Sequence, residues 1–119
     1  MVRSQPKYRW ATCPLTENAF VRVLSNPAYP GRGTTIEDAV SRLRTFCSVQ
    51  EDQFWPDSVS IQGRGRVRWN HVQGYRQIAY VYLLALAVSN RGRLATFDST
   101  ISLKAVEGAT AENLECIAA

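Results

Sequence analysis

Asp98 closes the short apolar run Leu94 to Phe97, and in a parallel α/β sheet the C-terminal end of a strand is where ligands and catalytic groups gather. With Ser99 and Thr100 behind it, the same carboxylate could simply cap a turn. Glu17 falls in the first turn of an expected helix, where its charge suits the helix dipole whatever else it does. Arg64, Arg66 and Arg68 alternate along one stretch, with Trp69, Tyr75 and Arg76 following. Guanidinium forks hold phosphates and aromatic faces stack on bases, so this run suits RNA, although a solvated loop is the plainer reading. His71 is the only histidine, lies in a polar loop and has no matching cysteine or second histidine. Serine, histidine and aspartate all occur, but nothing resembles a nucleophile elbow.

The elements that must position these residues centre on Gly74 to Asp98. An unbroken apolar run from Ile78 to Val88 predicts a buried helix, apolar all round and too short to cross a bilayer, which needs about 20 such residues. Gly92 is placed where a left-handed cap would end it, and Leu94 to Phe97 predict a strand. Upstream, Trp10 to Cys13 predict a brief strand ended by Pro14. Thr16 is expected to cap a helix carrying Ala19, Phe20, Val23 and Leu24, which Asn26 and Pro27 stop. Thr35 and Asp38 resemble a capping box ahead of an amphipathic helix with Ile36, Ala39, Val40, Leu43 and Phe46 on its apolar side. Phe54 and Trp55 predict a short buried strand closed by Pro56. Asp57 to Asn70 and Thr100 to Val106 carry no clear period, and Leu114 to Ile117 fit a last strand. Strands alternating with helices imply an α/β sandwich with a mainly parallel sheet flanked by helices.

Three blocks carry a resemblance. Gly74 to Ala87 with Gly92 to Asp98 resembles the C-terminal half of the VapC-type PIN domains, the toxin ribonucleases of bacterial toxin and antitoxin pairs. Trp10 to Tyr29 is similar to the second strand and following helix of that family, and the Phe-Trp-Pro-Asp within Gln53 to Asp57 fits its next strand. The resemblance implies a Mg²⁺- or Mn²⁺-dependent endoribonuclease, with RNA and a cognate antitoxin as partners. Its metal is held by acids, because a hard cation demands oxygen ligands and negative charge to offset its dehydration. On this chain the acid of the first helix after the second strand falls on Glu17, and the acid ending the fourth strand falls on Asp98. Arg64, Arg66, Arg68 and Arg76 would then contact RNA. Two departures stand out. Tyr80 occupies the position of the buried helix's acid, and a phenol offers Mg²⁺ a far poorer oxygen than a carboxylate. The family's first strand, with its own Asp, should precede Trp10, where only nine residues stand and none is acidic. That strand lies inside the family's sheet, so without it either Trp10 to Cys13 and Leu94 to Phe97 pair directly or the sheet exposes two unpaired edges, which invites a partner or a second copy of the chain.

Composition sets the outer bounds. A chain of 119 residues fits one domain, here a single PIN-like domain over residues 1–119, and 45% hydrophobic content is ordinary for a globular protein. The net charge of +4 comes almost wholly from arginine, which suits RNA or an acidic partner without requiring either. Cys13, Cys47 and Cys116 are far apart and lack zinc-site spacing, so reduced, buried thiols are expected. No apolar leader follows the basic start and no stretch can span a membrane, which predicts a soluble, cytoplasmic chain.

Overall fold

The computed structural model describes residues 10–28, 34–49, 53–63, 66–96 and 99–117. Its backbone groups into two units, Met1–Asp57 and Ser58–Ala119.

In the first unit, Ala11–Thr12 (β1) pairs in parallel with Gln53–Phe54 (β2), Ala11 opposite Gln53 and Thr12 opposite Phe54. The ladder runs one residue further at each end, with Gln53 N–H donating to the Trp10 carbonyl at 2.8 Å and Trp55 N–H to that of Thr12 at 2.7 Å. β1 is shorter than the sequence suggests, and β2 keeps its length but starts one residue earlier. β2 is exposed rather than buried, with Phe54 open to solvent and Trp55, just past the strand, half-buried.

Between them lie two helices, Pro14–Leu24 (α1) and Ile36–Val49 (α2), which pack on each other. The start of α1 corrects the expected cap. Cys13, in extended backbone, is the N-cap, and Pro14 takes the first helical position, where a missing N–H costs nothing. Thr16 stands three residues inside, and its hydroxyl accepts the Cys13 N–H at 2.9 Å. Ser25 ends the helix, its hydroxyl donating to the Val21 carbonyl at 2.7 Å. α2 begins as expected, with the Thr35 hydroxyl accepting the Asp38 N–H at 3.0 Å. Of its apolar stripe Ala39 is buried and Val40 and Leu43 half-buried, while Ile36 and Phe46 are exposed. No residue of α1 is buried, and Thr16, Ala19, Phe20, Val23 and Leu24 line an open groove along it.

The second unit is built on Ile78–Ser89 (α3), entered through a 3₁₀ turn at Tyr75–Gln77. With no charged residue to give it a wet face, α3 buries Val81, Leu84, Ala85, Leu86 and Ala87. Ile101, Ala105 and Val106 complete this core. Each fully buried Leu or Val here contributes about 1.5–3 kcal/mol by leaving water. The burial stops short of the first turn, where Ile78 and Tyr80 are exposed, so α3 is not enclosed all round.

Its exit also differs from expectation. Arg91 N–H donates to the Val88 carbonyl at 3.1 Å and Gly92 N–H to that of Ala87 at 2.7 Å, the paired bonds of a Schellman motif. The helix runs to Ser89 with Asn90 as C-cap, so the left-handed position falls on Arg91, at φ 57°, and not on Gly92.

After the cap, Leu94–Thr96 (β3) pairs in parallel with Leu114–Cys116 (β4) in the register Leu94 to Leu114, Ala95 to Glu115 and Thr96 to Cys116. Parallel neighbours need a crossover of about a dozen residues or more. Here that crossover carries two 3₁₀ turns, Leu103–Ala105 and Ala111–Asn113. Arg93 straddles the pair, its Nε on the Glu112 carbonyl at 3.0 Å and its Nη1 on Glu115 at 3.2 Å. Alternating helices and parallel strand pairs make this the α/β architecture that the sequence predicts. Cys13 is the buried thiol expected, whereas Cys47 is half-buried and Cys116 exposed. Among the described residues no helix is long and apolar enough to cross a membrane.

Candidate functional site

Glu17 is held by the local geometry at the start of α1. Its N–H makes the first helical bond, to the Cys13 carbonyl at 2.9 Å, which points the first turn back over β1. There the Thr12 hydroxyl donates to Glu17 Oε2 at 2.7 Å, and both side chains are half-buried. A carboxylate that accepts one short bond keeps its other oxygen and further lone pairs for a second partner. Thr12 is a positioning residue that reading the sequence missed. Nothing marks it there, because its role depends on the strand ending five residues before Glu17.

Asp98, the second expected acid, and Arg64 lie outside the described residues. Close to Asp98 in the chain, the structure does show a polar clasp. Gln77 is buried, accepts the Gln73 N–H on Oε1 at 3.0 Å and donates from Nε2 to the Thr100 hydroxyl at 2.7 Å. The entry to α3 is thus tied to a residue two positions beyond Asp98. A glutamine at the head of an apolar run gives no sequence signal for this.

Tyr80 is not buried as its place in the apolar run suggests. It is 41% exposed on the open first turn of α3. His71 lies half-buried in the 3₁₀ turn Trp69–His71. Among the described residues no group of three or more His, Cys, Asp or Glu side chains comes together in a way that could hold a metal ion. Glu17 stands in no such group among the described residues.

The arginines are better assembled. Val67 is buried and forms an antiparallel bridge with Val106, so its neighbours Arg66 and Arg68 are both turned to solvent. Arg68 also reaches the Lys104 carbonyl through Nη1 at 3.0 Å. Arg76 lies over the Tyr75 ring, 5.7 Å from its centroid, and its Nε meets the phenol oxygen at 3.3 Å. That ring is 77% exposed. Neither Lys104 nor its bond to Arg68 is legible in the sequence, since 36 positions separate the two residues.

Comparison with known proteins gives one consistent answer. Ribonuclease VapC44 of Mycobacterium tuberculosis is 37% identical over 113 residues, spanning 95% of this chain and 79% of that protein. Ribonuclease VapC39 of the same organism is 34% identical over 99 residues, spanning 83% of this chain and 71% of its own length. Ribonuclease VapC38, also from M. tuberculosis, is 39% identical over 92 residues, 77% of this chain and 63% of that protein. No family model matches the chain. No solved structure matches it either.

Proposed function

The chain belongs to the VapC family of PIN-domain ribonucleases, and on that premise we propose that it is an endoribonuclease toxin, cleaving RNA with a divalent metal ion and restrained in the cytoplasm by a cognate antitoxin. Residues 1–119 act in this reading as one PIN-like domain, Glu17 and Asp98 as its metal-binding acids, and Arg64, Arg66, Arg68 and Arg76 as its contacts to RNA. The observation that supports the proposal is the Thr12 bond at 2.7 Å, which holds a half-buried Glu17 carboxylate at the position for which the resemblance implies a metal ligand. Mg²⁺ or Mn²⁺, both suited to oxygen donors, would supply an activated water and offset charge at the phosphodiester. The chain's own residues do the rest. Glu17 offers a pre-oriented oxygen, and the exposed arginines hold phosphates by charge-assisted hydrogen bonds.

The test is incubation of the folded chain with structured RNA, with and without Mg²⁺ or Mn²⁺, beside Glu17→Ala and Asp98→Ala. Metal-dependent cleavage that either substitution abolishes is the expected result. No cleavage at any metal concentration would sink the nuclease reading and leave its rival. That rival is a protein which binds RNA or an antitoxin without cutting, and it is favoured by Tyr80 standing in place of a family acid.

A further inference from the structure

The residues around Val67 form a more definite surface than an arginine-rich loop. The backbone here is fixed on both sides: Arg68 N–H donates to the Ala105 carbonyl at 2.8 Å, and Glu107 N–H to that of Arg66 at 3.0 Å. Opposite, Lys104 sits in the 3₁₀ turn Leu103–Ala105, where its N–H is capped by the Ser102 hydroxyl at 3.1 Å. The Arg68 guanidinium lies on the Lys104 carbonyl, which brings the two residues side by side while leaving most of the guanidinium's five donors available. Arg66, Arg68 and Lys104 are all exposed, and none makes an ion pair among the described residues, where Arg93 with Glu115 is the ion pair found. Trp69 follows directly and is 43% exposed. Unpaired cations on a fixed backbone beside an exposed indole match what single-stranded nucleic acid requires, phosphate contacts with an aromatic platform for a base.

We propose that Arg66, Arg68 and Lys104 form a phosphate-binding strip, with Trp69 as its base-stacking platform, that holds a single-stranded segment of RNA. The inference rests on the reading of the chain as a protein that acts on RNA; it adds Lys104 to the arginines and gives the stacking role to Trp69. An acidic protein segment would use the cations alone and have no need of the indole, which is why RNA is the better fit.

The experiment measures anisotropy of a fluorescein-labelled, unstructured oligoribonucleotide in EDTA, so that cleavage is silent, across a salt series. Lys104→Gln is the safest probe, because the backbone carbonyl and not the side chain takes the Arg68 bond. It is expected to weaken binding roughly three- to tenfold and to lower the salt slope by about 0.7, the loss for one phosphate contact on a single strand. Arg66→Gln should do the same. Trp69→Ala should weaken binding by roughly fivefold or more with the salt slope unchanged, as loss of one stacked base would. Normal affinity and slope in Lys104→Gln would overturn the strip, as would binding that polyglutamate displaces as readily as RNA and that Trp69→Ala leaves intact. Cleavage with unaltered binding in all three variants would refute the strip and spare the nuclease. Variant-sensitive binding without cleavage in Mg²⁺ would do the reverse.

Discussion

Thr12→Val removes one atom's worth of chemistry from the site and leaves its shape. Valine keeps the branched outline and the strand preference of threonine but cannot donate to Glu17 Oε2, now 2.7 Å from the hydroxyl. A hydrogen bond to a charged group contributes about 1.5–3 kcal/mol when well buried. Both partners are half-buried here, so water recovers part of that, and a loss of about 1 kcal/mol is expected. Because Thr12 also forms the β1 ladder, the single variant alone is ambiguous. A double-mutant cycle with Glu17→Ala isolates the pair, and urea unfolding followed by circular dichroism should give a coupling of about 1 kcal/mol. If the Glu17 carboxylate also holds a metal, loss of its orienting partner should weaken Mn²⁺ binding by about tenfold, measured by calorimetry, as other outer-shell losses do. A coupling inside the scatter of independent sites, below about 0.3 kcal/mol, would refute the view that Thr12 holds Glu17 in place.

Two further substitutions test the frame around the site. Arg91→Gly should raise stability by about 1 kcal/mol, seen as a later urea midpoint, because glycine accepts the φ of 57° without the steric cost that arginine bears. An earlier midpoint would show that the arginine side chain contributes more than its backbone strain costs. Gln77→Leu deletes the bonds to Gln73 and Thr100 and should lower the unfolding free energy by roughly 2 kcal/mol. A change below about 0.5 kcal/mol would mean that water replaces the clasp.

The parts of the fold that a periodic pattern can encode were readable from the residues. Ile78 to Val88 form a helix because an apolar run of that length has few other uses, and Leu94 and Leu114 each open the strand expected of them. Positions that turn on a single residue are not encoded in this way. Gly92 suits a left-handed cap because glycine is free to adopt that conformation. The helix instead keeps its hydrogen bonds one position short of it and strains Arg91. Thr16 has the chemistry of an N-cap, yet Pro14 takes the first helical position and so moves the cap to Cys13. At the candidate site, Glu17 was legible by its place in a helix's first turn. Thr12, Gln77 and Lys104 were not, because each matters through a partner that only the folded backbone supplies.

The parallel pairing of β1 with β2 also sets a schedule for synthesis. Ala11 meets Gln53, so once β1 has been made the ribosome must add about forty more residues before its partner exists, and at about 5–20 residues per second that is roughly two to eight seconds. Leu94 meets Leu114 after about twenty, in roughly half the time. The added loop-closure entropy for the longer connection is slight, about 0.6 kcal/mol per doubling. The delay therefore comes from translation and not from thermodynamics. Through that interval the nascent chain carries Phe20, Val23 and Leu24 on a helix whose neighbour α2 is still being made.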